Sequence, residues 1–314
     1  MEREADEFHF LDAFGIVGEA TKIVRREVKL LGVIALTLLL PLSFVIHGHS
    51  LFAHPAAESI HHTLHIEIEE FVLLTTVYAT LVFAFSLLSR SAVVYTVASI
   101  YSGKELNYTI VMRIVPRVWK RLIITFLWFF LIMFLFYVVT VGALLFWLLI
   151  YGVVGLKKGT LFVGVLGIVI VALVLHVYIV MVWELASVVS VVEDRQGLDA
   201  MKKSKQLMKG KRDTALTLYV LYALVMGVIG GVQSYSVYGK GEQVMSVGII
   251  VAVVVLQCVA DLVWLLTHVV LYFVCKSSHH EEIDKLALSK HLEMYNGGYV
   301  LLNGGPMQFE MSGP

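Results

Sequence analysis

Cysteine is nearly absent: the 314 residues hold two, Cys258 and Cys275, both in one apolar segment. On a helix rising about 1.5 Å per residue the pair lies roughly 25 Å apart, far beyond disulfide reach. No disulfide framework organises this chain, and the two thiols are not a metal pair. Charge is scarce as well. Asp, Glu, Lys and Arg make up 15% of the residues against 59% hydrophobic, where soluble domains carry roughly 25% and 45–50%. The net charge is zero, so nothing global argues for an anionic partner, and charge informs only through its placement. Walker, Rossmann, HExxH, CxxC and GxSxG patterns are all missing. No Ser or Thr in the apolar segments has a plausible base and orienting acid beside it. Catalytic, cofactor-binding and metal-ligating residues are therefore expected to be none.

What the chain has is hydrophobic length. Six apolar segments cover approximately residues 30–46, 71–88, 122–152, 160–192, 215–232 and 244–275. About 20 apolar residues cross a bilayer core, so the third, fourth and sixth have length to spare for tilt or projection. The 29 residues before the first segment are too long and too acidic for a signal-peptide n-region, and that segment is expected to be retained. The fold class expected is all-α: a polytopic membrane bundle of six transmembrane helices with amphipathic cytosolic connecting helices. Residues 1–29 form a cytosolic amphipathic segment, 30–275 the six-span domain, and 276–314 a cytosolic polar tail.

Orientation follows from Lys and Arg. Of the 24, 21 fall in the N-terminal segment, the 2–3 and 4–5 connections and the tail. Lys157, Lys158 and Lys240 are the three on the other side. The positive-inside rule then puts both termini in the cytosol. Asn107-Tyr108-Thr109 reads as a glycosylation sequon, but it falls on the cytosolic side and is expected to stay unmodified.

Residues 192–212, VEDRQGLDAMKKSKQLMKGKR, carry Arg195, Lys202, Lys203, Lys205, Lys209, Lys211 and Arg212. Leu198, Met201 and Met208 fall near one helical face, and the basic residues cover much of the rest. A lysine held near an anionic leaflet gains about 1 kcal/mol, so Lys202 to Arg212 are the candidate lipid contacts. The stretch contains no aromatic residue, and without a stacking platform it does not read as a nucleic-acid site. Nearer the N-terminus, Phe10, Phe14, Val17, Val24 and Val28 recur at near-helical spacing beside Arg25, Arg26 and Lys29. That pattern suits a helix on the cytosolic leaflet or a simple lead-in helix.

The 2–3 and 4–5 connections repeat one another. Aligning Gly103 with Gly197 sets SRSAVVYTVASIYSGKEL beside WELASVVSVVEDRQGLDA, with Ala92 on Ala186, Val94 on Val188 and Val97 on Val191. Both halves continue through a polar helix to a basic knot, Arg117, Lys120 and Arg121 in one and Lys209, Lys211 and Arg212 in the other. The same register sets Arg90 opposite Glu184. Ionisable groups at membrane depth face the bundle interior with a partner, so this pair is expected to meet. The competing expectation is an Arg90 that snorkels alone to the headgroups.

Asp261 stands inside the sixth segment with no basic neighbour in sequence, and Gln257, Asp261 and His268 share a helix face. His176 and Glu184, eight apart in the fourth segment, fall near one face as well. Arg90, His176, Glu184, Asp261 and His268 are the candidate intramembrane polar network. Such a set serves either as interhelical glue or as a path for protons or cations. Paired Gly and Pro breaks of the kind transporters place in corresponding spans are missing, which favours glue. Between the first two segments, His47, His49, His54, His61, His62 and His65 precede Glu67, Glu69 and Glu70. These are plausible Zn²⁺ ligand types, but no spacing among them demands a closed four-ligand site, and the tract reads as composition.

Three stretches carry a likeness: FLDAFGIVGEATKI, EDRQGLDAMKKSKQLMKGKR and VCKSSHHEEIDKLALSKHLEMYNGGYVLL. They resemble a family of plant polytopic membrane proteins often labelled as binding partners of a polyadenylate-binding protein. More remotely, the central stretch is similar to the membrane-domain families of glycerophosphodiester phosphodiesterases. There a Gly, a Ser and a Lys-Gly pair follow a span, here Gly197, Ser204 and Lys209-Gly210. The resemblance implies a multi-span fold and no catalytic residues. The function expected is a non-enzymatic membrane scaffold or regulator, in the endoplasmic reticulum or plasma membrane, that works through lipids or a cytosolic protein bound at either terminus. A small-solute or ion transporter using Asp261, Glu184 and His176 is the alternative.

Overall fold

Apolar runs this long become helix because hydrocarbon offers backbone N–H and C=O groups no other partner. The computed structural model describes residues 11–47, 66–103, 107–155, 157–238 and 247–279. These residues form helices and no strand. In chain order they are α1 (Ala13–Arg26), α2 (Val28–His47), α3 (Ile66–Tyr101), α4 (Tyr108–Val154), α5 (Lys158–Val192), α6 (Leu198–Leu207), α7 (Arg212–Tyr238) and α8 (Val247–Ser278). Six of them, all but α1 and α6, are long and apolar enough to cross a membrane. That is the architecture of a multi-pass membrane protein.

Two helices outrun the boundaries expected from hydropathy. α3 continues past residue 88 to Tyr101, and α4 starts at Tyr108 rather than near residue 122. The 2–3 connection shrinks to a few residues. Serines in the extension do not stop α3, because their hydroxyls bond back into the same helix: Ser89 to the Phe85 carbonyl and Ser91 to the Leu87 carbonyl, both at 2.8 Å. α4 therefore reaches 47 residues, about 70 Å at 1.5 Å per residue, over twice a hydrocarbon core of about 30 Å.

The core sits at one end of the bundle. Buried residues run from Leu87 to Ser99 on α3, Val111 to Thr125 on α4, Met181 to Val192 on α5 and Leu262 to Cys275 on α8. These are the helix halves nearest the basic connections. The opposite halves of α4 and α5 turn Phe130, Phe134, Phe146, Phe162 and Val163 outward, as lipid-facing helices do. α8 is the central element, with 67% of its apolar window buried against 11–39% in the other five.

The two short helices close the packed end. α1 buries Ala13, Ile16, Ala20 and Ile23 and packs chiefly on α8. Of the residues expected on its leaflet face, Phe14 and Val28 are exposed and Val17 and Val24 are half-buried. Small Ala residues at the contact let α1 lie close to α8, where a Phe would hold it off. Phe10 lies outside the described residues. α6 buries Ala200, Met201, Ser204 and Leu207, with Met208 beneath its end, while Leu198 is only half-buried.

The repeat is visible in the backbone. Gly103 and Gly197, matched in register, both take positive φ, +76° just after α3 and +62° just before α6. The same register matches Pro116 with Gly210. In the second half the chain breaks at Gly210, φ +90°, between α6 and α7. In the first half Pro116 sits inside the unbroken α4, so the polar helix and the following span are fused there.

Candidate functional site

Arg90 and Glu184 meet. Arg90 Nη1 donates to Glu184 Oε2 at 2.5 Å and Nη2 donates to Oε1 at 2.8 Å, the two-pronged geometry that guanidinium and carboxylate favour. Side-chain exposure is 14% and 6%, so Arg90 does not snorkel alone. The Trp183 ring lies under the guanidinium, 4.4 Å from its carbon to the ring centroid, and adds a cation–π contact in a desolvated setting. Trp183 in turn stacks on Phe129 of α4 at 4.3 Å. The ion pair thus joins α3 to α5, and its aromatic backing joins both to α4.

Asp261 forms a second knot. The Tyr222 hydroxyl of α7 donates to its Oδ1 at 2.8 Å, and Gln257 Nε2, one turn earlier on α8, donates to the same oxygen at 3.0 Å. Among the described residues no Lys or Arg pairs with it. Trp264, one turn on, stacks on Tyr222 at 4.0 Å and takes His268 edge-on at 4.0 Å. His268 Nδ1 lies 2.9 Å from the Trp264 carbonyl.

A cavity of about 580 Å³ lies between the two knots. α3 lends it Ser86, Ser89 and Arg90, α5 lends His176, Val180 and Glu184, and α8 lends Gln257, Asp261, Trp264 and Leu265. α2 and α7 complete the wall with Leu39, Leu42, Ile46, Tyr219, Tyr222, Ala223 and Met226. Ala223 of this wall is exposed, so the cavity is open along α7. Above it, α2 departs from regular helix: Ala35–Leu39 is a π turn in which the Leu40 N–H bonds the Ala35 carbonyl. A π turn widens the helix by one residue and recurs beside functional sites. Nearer the α2 end, His47 Nδ1 lies 2.6 Å from Gln233 Oε1 of α7.

A family model described as a domain of unknown function (DUF8558) matches residues 1–65 and 49–312. The chain belongs to this DUF8558 family. No curated protein and no solved structure matches it.

Of the five residues expected to form an intramembrane network, the cavity of this DUF8558 chain gathers four: Arg90, His176, Glu184 and Asp261. His268 does not line it; it stands behind the Trp264 ring. His176 is held more loosely than the rest, with Nδ1 3.4 Å from the Tyr137 hydroxyl. Tyr222, Trp264 and Trp183 were not singled out in the sequence. An aromatic residue in an apolar helix carries no signal of which neighbour it will stack upon.

The three positions of the central motif each make a structural contact. Gly197 (φ +62°, ψ −132°) donates its N–H to Thr125 Oγ1 of α4 at 2.9 Å. A Cβ there would stand 2.8 Å from the Trp128 ring. Ser204 donates its hydroxyl to the Val182 carbonyl of α5 at 2.7 Å and is fully buried. Gly210 allows the turn into α7. Around them, Lys202, Lys205, Lys209 and Arg212 are exposed, while Lys203 and Lys211 are half-buried. Two acids at the end of α5 pair with basic residues of neighbouring helices. Asp194 binds Arg121 Nη2 at 2.6 Å, and Glu193 accepts the Tyr272 hydroxyl at 2.8 Å with Lys276 Nζ at 3.6 Å.

Among the described residues no three His, Cys, Asp or Glu side chains gather as a metal site. The histidines from His49 to His65 and the tail from residue 280 onward lie outside the described residues.

Proposed function

We propose that this DUF8558 member is a multi-pass membrane protein that works without catalysis, as a scaffold or regulator acting through lipid and protein contacts. One observation carries the reading: the two strongest polar contacts inside the bundle fasten helices to one another. Arg90 clamps Glu184 in two hydrogen bonds, and Asp261 ties α8 to α7 through Tyr222. In this reading both termini are cytosolic, supported by the basic residues at the packed end. The exposed Lys202, Lys205, Lys209 and Arg212 contact anionic headgroups of an endomembrane or the plasma membrane. The N-terminal segment or the tail receives a cytosolic protein partner, with no part for nucleic acid.

A second reading, a small-solute or proton-coupled transporter, is favoured by the cavity that Arg90, His176, Glu184 and Asp261 line. Reconstitution into liposomes separates the two. The scaffold passes neither protons nor small organic cations, and Asp261→Ala lowers its thermal stability in detergent by about 1–3 kcal/mol, because Tyr222 and Gln257 lose their acceptor. Flux that vanishes in Asp261→Asn while stability holds would replace the scaffold with the transporter.

A further inference from the structure

We propose that the cavity between α2, α3, α5, α7 and α8 binds an amphipathic molecule with an ammonium headgroup, held at Asp261. The proposal deepens the scaffold reading by giving the regulator a ligand, and rests on that reading only for its consequence.

Charge matching points to the headgroup. The Arg90 guanidinium is already matched by Glu184 through two hydrogen bonds and backed by Trp183. It brings no net positive charge to the cavity. Among the described residues the Asp261 carboxyl takes neutral donors, Tyr222 and Gln257, and both use Oδ1. Oδ2 takes neither of these bonds, and Asp261 lines the cavity. Asp261 is thus the acid of this lining with no cationic hydrogen-bond partner among the described residues, and an ionised carboxyl there has a cation as its natural complement. An anionic ligand would face Asp261 and Glu184 with Arg90 already engaged.

Aromatic rings point the same way. Tyr219, Tyr222 and Trp264 line the cavity between Asp261 and Glu184, with Tyr222 and Trp264 stacked at 4.0 Å and Tyr219 edge-on to Trp264 at 6.4 Å. Aromatic rings beside a carboxyl group suit an ammonium group, which the π-face of a ring attracts. The rest of the wall is apolar, with Leu39, Leu42, Ile46, Val180, Met226 and Leu265. A volume of about 580 Å³ exceeds what a bare ammonium fills, so the ligand brings an apolar portion. Because the cavity reaches the exposed flank of α7 at Ala223, an ammonium lipid can enter from the bilayer. A free amphipathic amine shares the same chemistry.

The test uses the purified full-length chain. Choline and its uncharged carbon isostere, 3,3-dimethyl-1-butanol, are titrated by calorimetry. In parallel, lipids retained from phosphatidylcholine or phosphatidylglycerol nanodiscs are counted by native mass spectrometry. The expected result is that choline binds at least about tenfold more tightly than its isostere, or that phosphatidylcholine is retained over phosphatidylglycerol. The preference is lost in Asp261→Asn, which keeps an oxygen for Tyr222 and Gln257 but removes the charge. Choline binding without lipid retention identifies a soluble amine, and the reverse identifies a lipid headgroup. Equal binding of choline and isostere with no lipid preference, or an unchanged preference in Asp261→Asn, overturns the site. Ala223→Trp narrows the cavity from a position that makes no polar contact in either knot and should also abolish binding. It decides the matter if Asp261→Asn fails to fold. Choline uptake into vesicles would sink the scaffold reading and leave the site standing; absent binding with absent flux does the opposite.

Discussion

Arg90 and Glu184 occupy matched positions in two repeated units, 94 residues apart, and bind each other through parallel hydrogen bonds of 2.5 and 2.8 Å. A pseudo-symmetric pair of helices has thereby placed opposite charges where symmetry would place like residues. Each charge neutralises the other at a depth where neither could stand alone.

Reversing one member leaves two like charges buried face to face. Arg90→Glu and Glu184→Arg should each cost about 3–5 kcal/mol, read as a fall in melting temperature in detergent. The double exchange should recover part of the loss, short of wild type because the cation then leaves Trp183. Two single reversals without effect, or a double mutant no better than either, would show that the pair does not fasten the bundle.

Gly197 has a backbone conformation that a side chain resists, and the Trp128 ring already stands 2.8 Å from the place of its Cβ. Gly197→Ala is expected to lose about 1–3 kcal/mol. Gly103→Ala meets open space at a similar φ and should lose less. Chemical unfolding of both in one detergent gives the ranking, and equal losses would remove Trp128 from the account.

Two buried polar contacts tie the second repeat to the bundle. Thr125→Val leaves the Gly197 N–H without its acceptor and should cost about 1–3 kcal/mol. Ser204→Ala leaves only the Val182 carbonyl short of a donor, and that carbonyl already serves its own helix, so about 1 kcal/mol is expected. Thermal shift assays on both variants test the order; a larger loss in Ser204→Ala would reverse the reasoning.

Topology has a direct check. In sealed microsomes Lys209→Cys should react with a membrane-impermeant maleimide, while Lys157→Cys should react only after detergent is added. The native thiols, Cys258 and Cys275, are buried and contribute little background. Asn107 should carry no glycan. A glycosylated Asn107 would invert the orientation.

Much of this protein was legible in the chain alone. The six long apolar helices follow from hydrophobic length, and the expectation of cytosolic termini follows from the placement of the basic residues. Both are one-dimensional quantities, set by the transfer of each segment between water and hydrocarbon. The Arg90–Glu184 pair was legible for a special reason: the repeat supplied a register, and a register is three-dimensional information written in sequence. Helix ends were less so. Arg90 and the serines around it look like a polar connection, yet their hydroxyls are satisfied by their own helix, so α3 runs on to Tyr101. The tertiary structure alone decided the cavity. Which face α8 turns toward α7, that Tyr222 rather than a cation holds Asp261, and that His268 stands behind Trp264 all depend on helix rotation. Rotation is set by close packing among many nearly equivalent apolar side chains, and no single residue's hydropathy records it.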